Sequence, residues 1–395
     1  MRESIFNYLF TLNNKKYIFN TNNSGLLEQN PTGFTDEENF YLIENNFLVD
    51  DALDEAAELE KEINQNIKNG TDDLQLTIAL TNQCNFKCIY CSQDKNEKMM
   101  TKETACDILS KIEKILTIRK YQSVHIHYFG GEPLMNIPVL LYLDGHLKEI
   151  CALHEVPYRS HITTNGSLLN DEILEKVGFH SIQLTFDGME QTHNHFRVSD
   201  SFHFQEELDL IRRVLVKTQA SVVFRMNICR QNRADALKLH RYIIETFGSE
   251  RIKIAPNPMV RFHKNDPFDM LTPNEFADTL FQIRQLMDIL TGEFDLPTPK
   301  PLPCGFPYGN AYAINPDGSC GFCSSFQNGK TKFSDVDIFA KKELKFRTEC
   351  RTCKCLPLCL GGCPAQTEQA TECCIPEKYR MQDIIAHYIA RMQPA

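Results

Sequence analysis

At 395 residues, with 42% hydrophobic and 24% charged residues, the chain has the composition of a soluble globular protein and the length of two or three domains. Its net charge of −10 is concentrated in residues 1–73, where 15 acidic residues face 5 basic ones; with no basic stripe, nucleic-acid binding is not expected. No apolar run reaches membrane-spanning length and Met1–Phe10 lacks the apolar core of a secretory signal, so a cytoplasmic location without membrane attachment is expected.

Residues 1–73 read as a small α+β unit. Ile5–Leu12 and Tyr17–Asn20 flank Asn13-Asn14-Lys15-Lys16 as a hairpin. Thr35-Asp36-Glu37-Glu38 is a capping box ahead of a helix through Glu44, and Leu53, Ala56, Leu59, Ile63 and Ile67 recur as one apolar helical face. Its acidic surface is read first as a solvated face, with a basic peptide partner as the alternative.

From residue 74 to about 291, β-rich runs occur at Leu74–Leu80, Val124–Phe129, Arg159–Thr164, Ser181–Phe186, Ser221–Ile228 and Ile252–Ala255. Helical patterns such as Lys102–Ile118, Glu172–Val177, Phe204–Val216 and Ala234–Phe247 separate them. Six such β–α units imply a parallel sheet or partial (β/α) barrel, with its reactive groups on loops beyond the C-terminal strand ends. His125 and His127 share one face of the second strand and are read as satisfied core positions before a role at a cofactor. Beyond the stiff Pro297–Pro301 linker, cysteine, glycine and proline density rises through Cys374, and a closing helix spans Glu377–Met392. The expected domains are 1–73, 74–296 and 297–395.

Ten of the 16 cysteines lie between Cys304 and Cys374 and three more within Cys84–Cys91. Clusters of this kind in a reducing compartment point to metal rather than disulfides. Cys106, Cys151 and Cys229 stand apart and read as small buried hydrophobes. The Cys84, Cys88, Cys91 spacing lets one loop present three thiolates, and no fourth ligand of the kind a structural zinc requires is near. Past the second strand, Gly130-Gly131-Glu132-Pro133 combines close backbone approach with a carboxylate able to accept from an ammonium group.

These two motifs, with the aromatic Tyr90 before the last cysteine, resemble the radical SAM superfamily. The resemblance implies a 4Fe–4S cluster on Cys84, Cys88 and Cys91, whose open iron is chelated by S-adenosylmethionine. It further implies that Gly130, Gly131, Glu132 and Pro133 hold the methionine amino group, and that Asn165, Thr185, Arg197 and Asn227 line the pocket. Thr185 and Arg197 are the candidates for the methionine carboxylate; Arg197 closes His193-Asn194-His195-Phe196-Arg197, where the family usually has aspartate at the position of Asn194.

Cys304, Cys323, Cys350, Cys353, Cys359, Cys363 and a last cysteine at 373 or 374 resemble the signature of SPASM domains. That implies two auxiliary 4Fe–4S clusters, one on Cys304, Cys323 and Cys363, the other on Cys350, Cys353, Cys359 and Cys374, the last favoured by the spacing to Lys378. A zinc ribbon is the other reading. Cys320 stands where it could complete the first auxiliary cluster; otherwise an open iron there could bind a substrate thiolate.

The fold class implied is α/β: a partial (β/α)6 TIM-like barrel between an N-terminal module resembling leader-binding (RRE-like) units and a C-terminal SPASM domain. Such an enzyme reductively cleaves S-adenosylmethionine to a 5′-deoxyadenosyl radical, with electrons from a reductase, flavodoxin or ferredoxin. It would then install a crosslink in a ribosomally made precursor peptide bearing a leader, a thioether first and a carbon–carbon or carbon–oxygen bond otherwise. No general base is assignable. An anaerobic sulfatase-maturating (formylglycine-forming) enzyme is the alternative, against which Ser324 stands where those enzymes carry a basic aspartate. A non-catalytic iron–sulfur or zinc scaffold would leave Gly130–Pro133 unexplained.

Overall fold

Residues 1–70 give strands β1 (Arg2–Glu3), β2 (Asn7–Leu12), β3 (Lys15–Asn20) and β4 (Leu26–Gln29), helix α1 (Asp36–Glu44), β5 (Leu48–Val49) and α2 (Glu55–Asn69). The alternating segment follows as β6 (Asp73–Ala79), α3 (Lys102–Ile118), β7 (Ser123–Phe129), α4 (Ile137–Leu153), β8 (Tyr158–Thr163) and α5 (Asp171–Val177). It continues with β9 (Ser181–Thr185), α6 (Glu190–Phe196), α7 (Phe204–Lys217), β10 (Ser221–Ile228), α8 (Arg233–Phe247) and β11 (Ile252–Pro258). Then come α9 (Pro273–Thr291), β12 (Ala311–Ile314), β13 (Cys320–Gly321), α10 (Leu356–Cys359) and α11 (Glu377–Met392). This computed structural model describes all residues except 30–34, 71, 92, 94, 249, 260–267, 306–309, 322, 324–329, 338–339, 341, 364–373 and 393–395.

The chain forms two compact units: residues 1–70, 272–309 and 341–395 in the first, residues 71–271 and 310–340 in the second. In the first, the antiparallel sheet β2-β3-β4 turns Tyr17 and Phe19 onto Cys355, Leu358, Met381, Ile385 and Ile389. Helix α2 starts at Asp54, whose carboxylate accepts from the Ala57 amide at 2.9 Å. Its apolar face packs Leu59, Ile63 and Ile67 against Leu344, Phe346 and Leu356, each side chain contributing about 1.5–3 kcal/mol by burial.

The second unit is built on an eight-stranded sheet, ordered β11-β10-β9-β8-β7-β6-β12-β13. The six expected strands are parallel and lie in chain order, as right-handed β–α crossovers produce. Two strands from beyond the linker extend it: β12 pairs with β6 in parallel and β13 turns back antiparallel. Val124, Ile126 and Tyr128 are fully buried on one face of β7, while His125 and His127 alternate onto the other. A strand buried on both faces would be apolar throughout. The second face here carries His125, His127, His161, Thr163, Gln183, Arg225 and Asn227 instead, so it is polar rather than apolar. No helix among the described residues is long and apolar enough to cross a membrane.

The histidines are knitted across strands. His125 Nε2 meets Ser123 Oγ at 2.8 Å and its Nδ1 meets His161 Nε2 at 3.2 Å. His161 Nδ1 meets Ser181 Oγ, and His127 Nε2 meets Thr163 Oγ1, both at 2.7 Å. Burial lowers His127, His161 and His240 from 6.5 to about 4, with His125, His127, His180 and Arg159 adding to the effect on His161. Between those two values the unfolded chain binds more protons than the folded one, so acidification destabilises. Urea melts of the cluster-free chain should show its unfolding free energy declining from pH 6.5 to 4. The double substitution His127→Gln, His161→Gln should flatten that decline.

Candidate active site

The loop after β6 carries Cys84, Cys88 and Cys91, and it is tied down along its length. Lys87 and Ile89 amides donate to Val198 and Phe196 carbonyls at 2.8 and 3.0 Å. Phe86 is buried beneath the Arg197 guanidinium, 5.4 Å from its ring centroid. Burial pushes the Cys88 thiol up to about 11, and Cys84 in the same direction.

The Gly130-Gly131 pair lies flush against the residues leading into that loop. Gly131 and Glu132 amides donate to Thr81 and Gln83 carbonyls at 2.8 and 2.7 Å. A Cβ on Gly130, whose φ is 140°, would sit 2.3 Å from Thr81 O, and one on Gly131 would sit 2.1 Å from Gln83 O. The close approach anticipated from the glycines is therefore to the chain's own backbone. Gly131→Ala is expected to cost about 3 kcal/mol or more, because two backbones must part, and thermal melts will show it.

Glu132 is fully buried and acts as a hub. Its Oε1 accepts from the Leu134 amide at 3.0 Å and the Thr164 hydroxyl at 2.7 Å, while Oε2 accepts from the Asn165 amide at 2.7 Å. Burial raises its pKa, and these bonds and Arg197 work against the rise. Asn165 Nδ2 in turn donates to Asn85 Oδ1 at 2.8 Å and lies 4.0 Å from Cys84 Sγ. The loops after β6, β7 and β8 are thus fastened to one another. A carboxylate has about four acceptor positions; three are used, and one is left for an ammonium group.

Thr185 is buried at the end of β9, in register with Arg225. Arg197 is 6% exposed; its Nη1 donates to Tyr90 Oη at 3.2 Å. Burial opposes its charge, and Tyr90, Cys88, Glu207 and Asp187 more than restore it. Asn194 has another task, accepting the Phe204 amide at 3.0 Å at the start of α7. The sequence marks Tyr90 before the last cysteine of the loop and Asp187 in the Thr185-Phe186-Asp187-Gly188 strand end, but not that the two meet. Tyr90 Oη donates to Asp187 Oδ2 at 2.6 Å, and the Asn227 amide donates to Asp187 Oδ1 at 3.1 Å. Asn232 braces the same turn through the Asp187 carbonyl at 2.7 Å.

These residues fit a cluster with a bound amino acid. Beyond burial, the neighbouring Cys91 raises the cost of ionising Cys84, and Cys91 and Cys84 together raise that of Cys88, which a shared cationic iron centre relieves. Arg197 Nε is buried with no hydrogen-bond partner among the described residues, and a carboxylate supplies such an acceptor. Among the described residues, no three His, Cys, Asp or Glu side chains converge as ligands of a single metal ion.

In the first unit, Cys350, Cys353 and Cys359 surround α10, and Cys374 precedes α11 with Lys378 Nζ donating to its sulfur at 3.1 Å. Cys359 is pushed up to about 11 by burial, then by the charges of Cys353, Cys350 and Cys374. Cys353 is lowered to about 6, foremost by a hydrogen bond from Cys355. Cys304 and Cys363 belong to the first unit and Cys320 and Cys323 to the second. Ser324 and Cys373 lie outside the described residues. Cys151 and Cys229 are buried core residues, whereas Cys106 is half-buried and meets the Tyr142 hydroxyl at 3.1 Å.

Residues 78–243 match the Radical SAM superfamily. The radical SAM cyclopropyl synthase TigE of Paramaledivibacter caminithermalis is 28% identical over 161 residues, 36% of this chain and 33% of that protein. A probable GTP 3',8-cyclase of Methanocella arvoryzae is 30% identical over 136 residues, 34% and 41% of the two chains. The chain therefore spans a third to two fifths of the length of these curated relatives. Among solved structures, native anSMEcpe with bound AdoMet and Kp18Cys peptide is similar with a TM-score of 0.61 at 16% identity, over 81% of this chain and all of that one. Streptococcus suis SuiB bound to precursor peptide SuiA is similar with a TM-score of 0.56 at 16% identity, over 96% and 98% of the two chains. Both likenesses are of fold. The Cys84–Cys91 loop and the Glu132 hub both fall inside the span matched to the Radical SAM superfamily.

Proposed function

We propose that this protein is a radical SAM peptide maturase that installs an intramolecular crosslink in a ribosomally made precursor peptide. The observation that carries the reading is the fastening of the Cys84–Cys91 loop to Glu132 and Asn165, beside a buried Arg197. Bound cluster and S-adenosylmethionine supply the hydrogen-abstracting radical; the protein's work is to hold and orient them and exclude water. Cys84, Cys88 and Cys91 hold the cluster. Glu132 takes the methionine ammonium at its remaining acceptor position, and Arg197 and Thr185 take the carboxylate. Gly130, Gly131 and Pro133 keep the Glu132 loop in place, while Asn165 and Asn227 line the pocket.

A peptide substrate is supported by the fold shared with SuiB and anSMEcpe, both seen with peptides, and by the likeness to a cyclopropyl synthase. In this reading, residues 1–73 bind the leader as an added strand at a sheet edge. Cys350, Cys353, Cys359 and Cys374, all within the first unit, hold one auxiliary cluster. A thioether is the first product to seek, and a flavodoxin or ferredoxin the electron donor.

The test is anaerobic reconstitution followed by dithionite and S-adenosylmethionine. Formation of 5′-deoxyadenosine is expected, and its absence would sink the radical reading. Adding a leader-bearing, cysteine-containing peptide encoded beside the gene should then give a product lighter by two hydrogen atoms. An unmodified peptide alongside continued cofactor cleavage would reject that substrate class.

A further inference from the structure

Cys355 falls between two proposed ligands, Cys353 and Cys359, yet differs from both in its surroundings. It is 1% exposed, whereas they are half-buried. Its sulfur lies 2.9 Å from the Tyr8 hydroxyl, and it packs among Tyr17, Phe19, Leu358 and Ile385 with Cys353 and Tyr8 against the same group. Tyr8, Phe10 and Leu12 form the inward row of β2, in which a phenylalanine would pack as well as Tyr8 does. The hydroxyl is therefore the feature to explain. The Lys354 ammonium rests 5.3 Å from the Tyr8 ring centroid, a contact that fixes the ring further.

A thiol has one weak donor and a weak acceptor sulfur. With the Tyr8 hydroxyl donating to the Cys355 sulfur, the Cys355 S–H is left to serve the neighbouring Cys353. We propose that Cys355 is not a cluster ligand but a hydrogen-bond donor to the Cys353 thiolate, oriented by Tyr8 of the N-terminal sheet. The inference rests on the auxiliary cluster assigned above to Cys350, Cys353, Cys359 and Cys374. Hydrogen bonds to cluster sulfurs favour the more negative, reduced form and raise the potential. Strand β2 thereby becomes part of what sets this cluster's potential, and Tyr8 and Cys355 are positioning residues.

The experiment uses the full chain with Cys84, Cys88 and Cys91 replaced by alanine, so that the auxiliary iron is read alone. After anaerobic reconstitution, iron and sulfide are counted and a potential titration is followed by electron paramagnetic resonance. Cys355→Ala and Tyr8→Phe should both keep the parent's iron and sulfide. Cys355→Ala should shift one midpoint to more negative potential by about tenfold in the reduced-to-oxidised ratio, or ~59 mV for a one-electron couple. Tyr8→Phe should shift it less, in the same direction, and add nothing in the Cys355→Ala background. Cys355→Ser, which keeps a donor, should recover most of the shift. Loss of one cluster's iron in Cys355→Ala would make Cys355 a ligand, and an unmoved midpoint would remove its role; either overturns the proposal. A parent chain that takes up no iron would instead overturn the cluster assignment, a result read before Tyr8 or Cys355 is touched.

Discussion

Exchange of Cys84, Cys88 and Cys91 for alanine is expected to remove about four irons per chain and to abolish 5′-deoxyadenosine formation. The loss should be on the order of 10³-fold or more, because the cofactor carries the chemistry and no other group in the chain replaces it. The fold should survive. The loop is held through backbone bonds to Phe196 and Val198 and through buried Phe86, none of which depends on the sulfurs. Cluster-free parent and variant should therefore unfold within about 1 kcal/mol of each other. Unchanged 5′-deoxyadenosine formation by a folded variant would refute the assignment of these three thiols.

The second large effect belongs to Glu132→Gln. The carboxylate accepts from Leu134, Thr164 and Asn165, using both oxygens. An amide has one oxygen, so whichever way Gln is turned, its NH2 faces a donor. Leaving a buried donor unmatched costs about 1–3 kcal/mol, and here donor also confronts donor at a fully buried site. A loss of about 3 kcal/mol in unfolding free energy is expected, together with a tenfold or greater fall in S-adenosylmethionine affinity as Asn165 and the Cys84 loop part. Urea melts and equilibrium binding would measure the two separately. Glu132→Gln with undiminished stability would show that the hub is not needed to join the loops.

The parallel sheet was legible because its helices and strands carry strong periodicities. Ser221–Ile228, Lys102–Ile118 and Glu377–Met392 occur at the bounds their patterns predict. Short elements without alternation were not legible. β4 is Leu-Leu-Glu-Gln, and β12 is Ala-Tyr-Ala-Ile inside a segment whose cysteine, glycine and proline content hides a strand. At the site, the spacing of Cys84, Cys88 and Cys91 and the Gly130–Pro133 run marked the two loops. Their joining through Thr164, Asn165 and Asn85 depends on strands brought side by side, which no local pattern encodes. The joining of Asp187 to Tyr90 and Asn227 was hidden for the same reason, since Tyr90 lies on the loop after β6 and Asn227 on β10. The alternation of His125 and His127 placed them on one face, but their partners His161 and Thr163 come from the next strand.

The discontinuity of the first unit bears on the order of events during synthesis. Tyr8 meets Cys355 across 347 residues of sequence, and Phe6 and Ile63 share a core with Leu344 and Leu356. Contacts of such separation form late and slowly. While the ribosome is still making the parallel sheet, the inward row of β2 and the apolar face of α2 have no partners, and surfaces of that kind aggregate. Nascent chains truncated before residue 341 should therefore engage chaperones through their first 70 residues, and full-length chains should let go.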